Sequence, residues 1–179
     1  MRLVPAFPAP SSSSSSSWPW LAALLCAALL AGCASGPRGG HHAPSSASRS
    51  AAYPPLTASQ SDDIAIHALG LVGTPYRYGG NTPDGGFDCS GLIGYVYKSR
   101  AGRTPPRTVA QLSSFGEPVG IDEIRTGDLV LFGRGRPTHA GIYVGDGRFV
   151  HAPSSGGTVR LDPLAGVYWS KQPVEVRRP

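Results

Sequence analysis

The sequence predicts an α+β domain, with helices early in the folded part and a small antiparallel sheet after them. A helix can start behind the cap type Ser61 over 62–71, and helix-type apolar spacing appears from Cys89 onward, where Leu92, Ile93, Val96 and Tyr97 fall on one face. Strand-type alternation then crowds into 129–177, and two of its segments flank the turn former Gly145-Asp146-Gly147. Helices followed by strands, not alternating with them, read as α+β. Residues 62–179 suit one compact domain, which buries roughly two-thirds of its unfolded surface on folding.

The first third of the chain is of another kind. Residues 1–61 contain no Asp or Glu, and 14 Ser, 8 Pro and 4 Gly stand among them. Arg2 precedes a run of seven serines, Trp18-Pro19-Trp20 and the apolar stretch Leu21 to Leu30. That order reads as a secretory signal over 1–32. A membrane span needs about 20 apolar residues, and 21–32 is too short. Leu30-Ala31-Gly32-Cys33 resembles the lipobox of bacterial lipoproteins. The resemblance implies cleavage before Cys33, lipidation of its thiol and anchoring to a membrane, which several acyl chains secure far better than one. Ala34 and Ser35 follow with no acid, which in similar Gram-negative lipoproteins implies the inner face of the outer membrane. Residues 33–61, rich in Ser, Ala, Gly and Pro, are expected to form a flexible tether. His41-His42 within it read as incidental, and no metal or cofactor is expected.

Residues 62–179 carry all 11 acids and 13 of the 16 Lys and Arg, a net charge of +2. This is too weak for a nucleic-acid face. Within this domain, Ser61 is expected to cap a helix over 62–71, a second helix to start at Cys89, and a weaker third to cover 108–114. Strands are expected at 129–132, 139–144, 148–152, 159–161 and 174–177. Asp128, in Thr126-Gly127-Asp128, reads as a turn cap before the first strand.

Cysteine arithmetic isolates one thiol. Cys26 lies in the signal and Cys33 is lipidated, so Cys89 alone remains in an exported domain, where cysteines are normally paired or absent. A buried, inert cysteine is the plain alternative. Asp88 is a good N-cap type, so Cys89 occupies the first helical position. There the macrodipole and unpaired N–H groups favour a thiolate and offer donors to a developing oxyanion. The Asp88 carboxylate opposes this, so a base is required.

His139 and His151 are the candidate bases, because His41, His42 and His67 lie in the tether or the first helix. A three-residue hairpin loop, or any odd number, pairs 151 with 141 and sets both rings on one face. A two-residue loop pairs 151 with 142 and sets them on opposite faces. The odd loop is expected, with His139 as base and His151 orienting it, the arrangement of a cysteine hydrolase.

Thr74-Pro75-Tyr76-Arg77-Tyr78-Gly79-Gly80, Phe87-Asp88-Cys89-Ser90-Gly91, the segment from Arg125 to Phe132, His139 to Gly145 and Phe149-Val150-His151-Ala152 together resemble the NlpC/P60 family of cell-wall peptidases. The likeness is greatest to its short, lipid-anchored murein endopeptidases of the Spr type. It implies a papain-like α+β fold, Cys89 as nucleophile, His139 as base and His151 as third residue. Tyr76 would help stabilise the tetrahedral intermediate, or else pack under the Gly79-Gly80 turn. Asp88 and Ser90 stand where some relatives contact the substrate peptide, although capping explains Asp88 equally. The loop at Pro83-Asp84-Gly85-Gly86 varies in length within the family. The expected activity is hydrolysis of an amide in peptidoglycan stem peptides or cross-links by a monomer. D-alanyl–diaminopimelate and γ-D-glutamyl–diaminopimelate bonds both stay open. A murein-binding adaptor without catalysis and an acyltransferase are the competing readings.

Overall fold

A computed structural model describes residues 53–155 and 157–179. The signal, Cys33 and most of the tether lie outside the described residues.

The first helix, α1 (Ala58–Gly70), begins four residues before the expected start. Thr57, not Ser61, is its N-cap. The Gln60 N–H donates to Thr57 Oγ1 at 3.2 Å and the Thr57 N–H donates back to Gln60 Oε1 at 3.0 Å. This reciprocal capping box satisfies two otherwise unpaired groups, where a lone serine cap satisfies one. Packing also extends upstream of residue 61. Leu56 lies against the core, and Arg103 stacks over the Tyr53 ring while donating to the Pro54 carbonyl.

Between the helices runs a two-stranded ribbon that the sequence pattern did not reveal, β1 (Asn81–Thr82) and β2 (Gly86–Phe87). Helix α2 (Cys89–Ala101) follows with Asp88 as N-cap and Gly102 closing it in the left-handed conformation. Leu92, Ile93, Val96 and Tyr97 are all fully buried, as their spacing requires. The start of α2 presses on the ribbon so closely that a Cβ on Gly91 would stand 2.0 Å from the Gly80 carbonyl oxygen. Only glycine fits at that position. Helix α3 (Val109–Leu112) is shorter than expected.

One six-stranded sheet completes the fold, every pair antiparallel: β3 (Glu117–Val119), β4 (Leu129–Phe132), β5 (His139–Gly145), β6 (Arg148–His151), β7 (Arg160–Pro163) and β8 (Val174–Arg178), in the spatial order β3-β8-β4-β5-β6-β7. The two long helices both pack against β5, burying Ile64, Leu92, Ile93, Leu131, Ala140 and Ile142 in the main core. A second cluster gathers Val130, Phe132, Phe149 and Val176, with Trp169 packed on it. Asp128 caps its turn, accepting from the Arg125 N–H at 2.8 Å, and also pairs with Arg178 at 2.8 Å.

The β5–β6 hairpin corrects one expectation and explains another. Its loop is the two-residue Asp146-Gly147 turn, with φ of 51° and 67°, the left-handed pair that a type I′ turn demands. Taken alone, this turn would set His151 opposite Ile142. The register shifts by one residue between Tyr143 and Gly145, however, and His151 pairs with Gly141. A β-bulge at Val144 supplies the odd residue that the loop does not.

Candidate active site

The cap of α2 is a dense network around one carboxylate. Asp88 Oδ1 accepts from the Gly91 N–H at 2.7 Å, and Oδ2 accepts from the Gly79 N–H at 2.9 Å. Arg107 closes a two-pronged ion pair on the same group, at 2.6 and 2.9 Å. Burial pushes the Asp88 pKa up, but the bonds from Arg107 and Gly91 outweigh it and hold the carboxyl below its usual range. Ser90 is buried; its hydroxyl donates to the Arg107 carbonyl at 2.8 Å and accepts from Arg107 Nη1 at 2.5 Å. Both residues next to the candidate nucleophile are thus engaged inside the protein.

Cys89 opens α2 half-buried. Burial and the neighbouring Asp88 charge raise its thiol pKa, while the N–H groups of Ser90, Ala140 and Cys89 itself pull it down. The helix-terminus effect is therefore present, but burial outweighs it. Hydrogen bonding from Ala140, the residue after His139, sets the sulfur at the same end of β5 as that imidazole. Tyr76, partly buried against the core, is close enough to Cys89 and Asp88 that burial first, then their charges, raise its pKa. Its hydroxyl stays protonated and remains a donor.

His139 and His151 meet as the register dictates. The rings are nearly perpendicular, and His139 Nε2 lies 2.9 Å from His151 Nδ1. His151, 0% exposed, continues the chain: its Nε2 is 3.0 Å from Asp162 Oδ2. Trp169 Nε1–H donates to the same oxygen at 3.0 Å, and Arg160 Nη2 at 2.5 Å. Burial opposes a charge on Asp162, but these three donors hold its pKa down at about 2. An ionised Asp162 can only accept, so His151 carries its proton on Nε2 and accepts at Nδ1. His139 in turn donates from Nε2, which leaves the lone pair on its Nδ1. The relay thus fixes His139 in one tautomer, with Nδ1 as its basic atom. Burial, with the His151 charge second, lowers the His139 pKa to about 3, and burial lowers that of His151. The indole of Trp169 stacks on the His139 ring with centroids 5.3 Å apart.

Asp162 and Trp169 were absent from the sequence reading. Asp162 lies two residues along β7 from Arg160, which pairs with His151, so it is diagonal to His151 just as His139 is diagonal to it from the other side. The signal was an acid immediately after the strand expected at 159–161, but the Pro, Ser and Gly of 152–159 did not tell how β7 registers with β6.

Residues 73–178 match the model of the NlpC/P60 family. The chain belongs to the NlpC/P60 family. It is 40% identical over 112 residues to "Murein DD-endopeptidase MepH" of Escherichia coli strain K12, an alignment covering 60% of this chain and 41% of that protein. To "Probable endopeptidase NlpC" of the same organism it is 38% identical over 165 residues, covering 87% of this chain and 96% of the relative. Among solved structures, the NlpC/p60 domain of the peptidoglycan hydrolase SagA superposes with a TM-score of 0.58 at 33% identity, covering 65% of this chain and 97% of that one. The chain spans less than half the length of MepH. The NlpC/P60 fold is the α+β architecture expected from the sequence, with the helices packed on the antiparallel sheet.

Two outcomes follow from the relay. Asp162→Asn places an amide beside His151 Nε2 that can donate as well as accept, so the tautomers are no longer fixed. Turnover should fall roughly 10- to 100-fold with KM little changed, and alkylation of Cys89 by iodoacetamide should slow in parallel. Unchanged turnover would remove Asp162 from the relay. The second outcome concerns stability. Both histidines titrate near 6.5 when unfolded, but native His139 takes up its second proton only near pH 3. Between these values the unfolded chain binds more protons, so stability is full above pH 6.5 and falls as pH drops toward 3. Melting temperatures from pH 7 to 4 should decline, and His139→Asn should flatten the slope.

Proposed function

We propose that this chain is a lipid-anchored peptidoglycan hydrolase, a murein endopeptidase that cuts an amide of the stem peptide or cross-link through a thioester on Cys89. The relay from Asp162 through His151 to His139, ending beside the Cys89 helix start, carries this reading, because a module that only binds murein has no use for a tautomer-locked base next to a thiol. The relative named a murein DD-endopeptidase supports the substrate class.

Burial disfavours a lone charge on either Cys89 or His139, so the resting pair is a neutral thiol and a neutral imidazole that titrate together. In attack, the Sγ proton passes to His139 Nδ1 while sulfur bonds to the scissile carbonyl carbon. The oxyanion is met by N–H groups of the first turn of α2 and by the Tyr76 hydroxyl. Collapse breaks the C–N bond, and His139 gives its proton to the leaving nitrogen. Water then adds to the thioester, again giving a proton to His139. Collapse expels the sulfur, which regains that proton. Asp88 and Ser90 hold the nucleophile's helix start and, through Arg107, border the acyl side of the substrate.

In this reading Cys33 carries the lipid, and the tether expected from the sequence lets the domain meet peptidoglycan from the inner face of the outer membrane.

Wild-type protein should release muropeptides from purified sacculi, measured by chromatography and mass spectrometry. Cys89→Ala should abolish release and His139→Ala should nearly do so, whereas His151→Ala should retain more, since the dyad survives. Activity persisting in Cys89→Ala would sink the thioester mechanism. In cells expressing the full chain, Cys33→Ala should move the protein out of the membrane fraction, and its retention there would overturn the anchor.

A further inference from the structure

A cleft of about 580 Å³ opens beside His139, lined also by Arg160, Asp162, Val167, Tyr168 and Trp169. Cys89, Tyr76, Asp88 and Arg107 do not line it. The reaction gives this asymmetry a direction. The protonated imidazole must deliver its proton to the leaving nitrogen, so the fragment bearing that nitrogen lies on the His139 side. This rests on the peptidase reading above.

Arg160 is the cationic group of the cleft. Among the described residues its guanidinium bonds only Asp162, through Nη2, and its side chain is 45% exposed. The Asp162 carboxylate also lines the cleft, but it already holds three donors and is only 15% exposed. A guanidinium held at one edge presents its remaining N–H groups in a fixed fork that matches a carboxylate. Val167 and Tyr168, 82% and 63% exposed, form an apolar wall beside it.

We propose that this cleft is the subsite for the leaving fragment and that Arg160 recognises a free carboxylate on the carbon bearing the scissile nitrogen. Such a subsite discriminates between the two bonds left open by the sequence. The amino acid released from a D-alanyl–diaminopimelate cross-link keeps a free carboxylate beside the scissile nitrogen. At a γ-D-glutamyl–diaminopimelate bond the corresponding carboxyl is tied up in an amide wherever the stem peptide continues. Arg160 therefore directs cleavage to the cross-link.

The test uses the full chain and two D-alanyl–diaminopimelate cross-linked muropeptides, one with the leaving-side carboxylate free and one with it converted to the primary amide. Wild type should prefer the free acid by about 10- to 100-fold in kcat/KM, mostly through KM. Arg160→Gln should lower the rate on the free acid and bring the ratio near one. A merely structural role, acting through Asp162, would depress both substrates alike and leave the ratio intact. Binding of both peptides to the Cys89→Ala protein, measured by calorimetry with and without Arg160→Gln, reads the same preference without catalysis. Cleavage with no preference in wild type, or a preference that survives Arg160→Gln, overturns the subsite while leaving the peptidase standing. Preferential binding without any cleavage upholds the subsite and overturns the peptidase instead.

Discussion

The carboxylate of Asp88 joins three separate pieces of backbone: the Gly79-Gly80 turn, the first turn of α2 and the segment that carries Arg107. Without a cap, the N–H groups that open α2 would have no partner within the helix. With it, the helix starts at one residue, and that residue is Cys89. The close approach of Gly91 to Gly80 follows from the same clamp. The Arg107 fork compensates the negative charge that would otherwise press unopposed on the thiol. The nucleophile's position is thus a by-product of how a helix end is satisfied.

The base is placed by different means. Three strands each contribute one side chain on a diagonal, His139 from β5, His151 from β6 and Asp162 from β7, and the line ends on an ionised carboxylate. Only Asp162 is charged in the resting state. Its charge is shared among Arg160, Trp169 and His151, so the two imidazoles stay neutral in a buried, aromatic setting. Neutrality is useful here, because a proton accepted from sulfur is then the first charge to appear in that setting. It arrives together with the opposite charge on the substrate oxygen.

The legible parts were those written in local chemistry. Asp88 before Cys89 announces a capped helix, and the spacing of Leu92, Ile93, Val96 and Tyr97 orients it. His139 and His151 flank a turn former at a distance that leaves only two registers. What escaped depends on register across irregular segments. Asp162 joins the relay only because β7 pairs with β6 at one offset, and residues 152–159 hold no periodicity that reveals it. Trp169 sits in a short 3-10 turn, which leaves no apolar pattern. The ribbon strands have two residues each, too few for alternation to appear. The start of α1 was misplaced because a serine at a plausible cap position competed with a Thr57–Gln60 pair that satisfies twice as many groups. The thiol's electrostatics were misjudged for the same reason of scale: a helix terminus is visible in sequence, whereas depth of burial is not.

The bulge at Val144 carries a consequence for how such a hairpin can vary. Side chains on a strand alternate, so the two histidines share a face only while the residue count between them keeps its parity. The I′ turn alone has the wrong parity, and the bulge restores it. Descendants of this chain can therefore lengthen or shorten the tip of the hairpin by two residues at a time. A single insertion is tolerated only if it also erases the bulge. The rule acts like a reading frame, imposed here by the pleat of a sheet rather than by a codon.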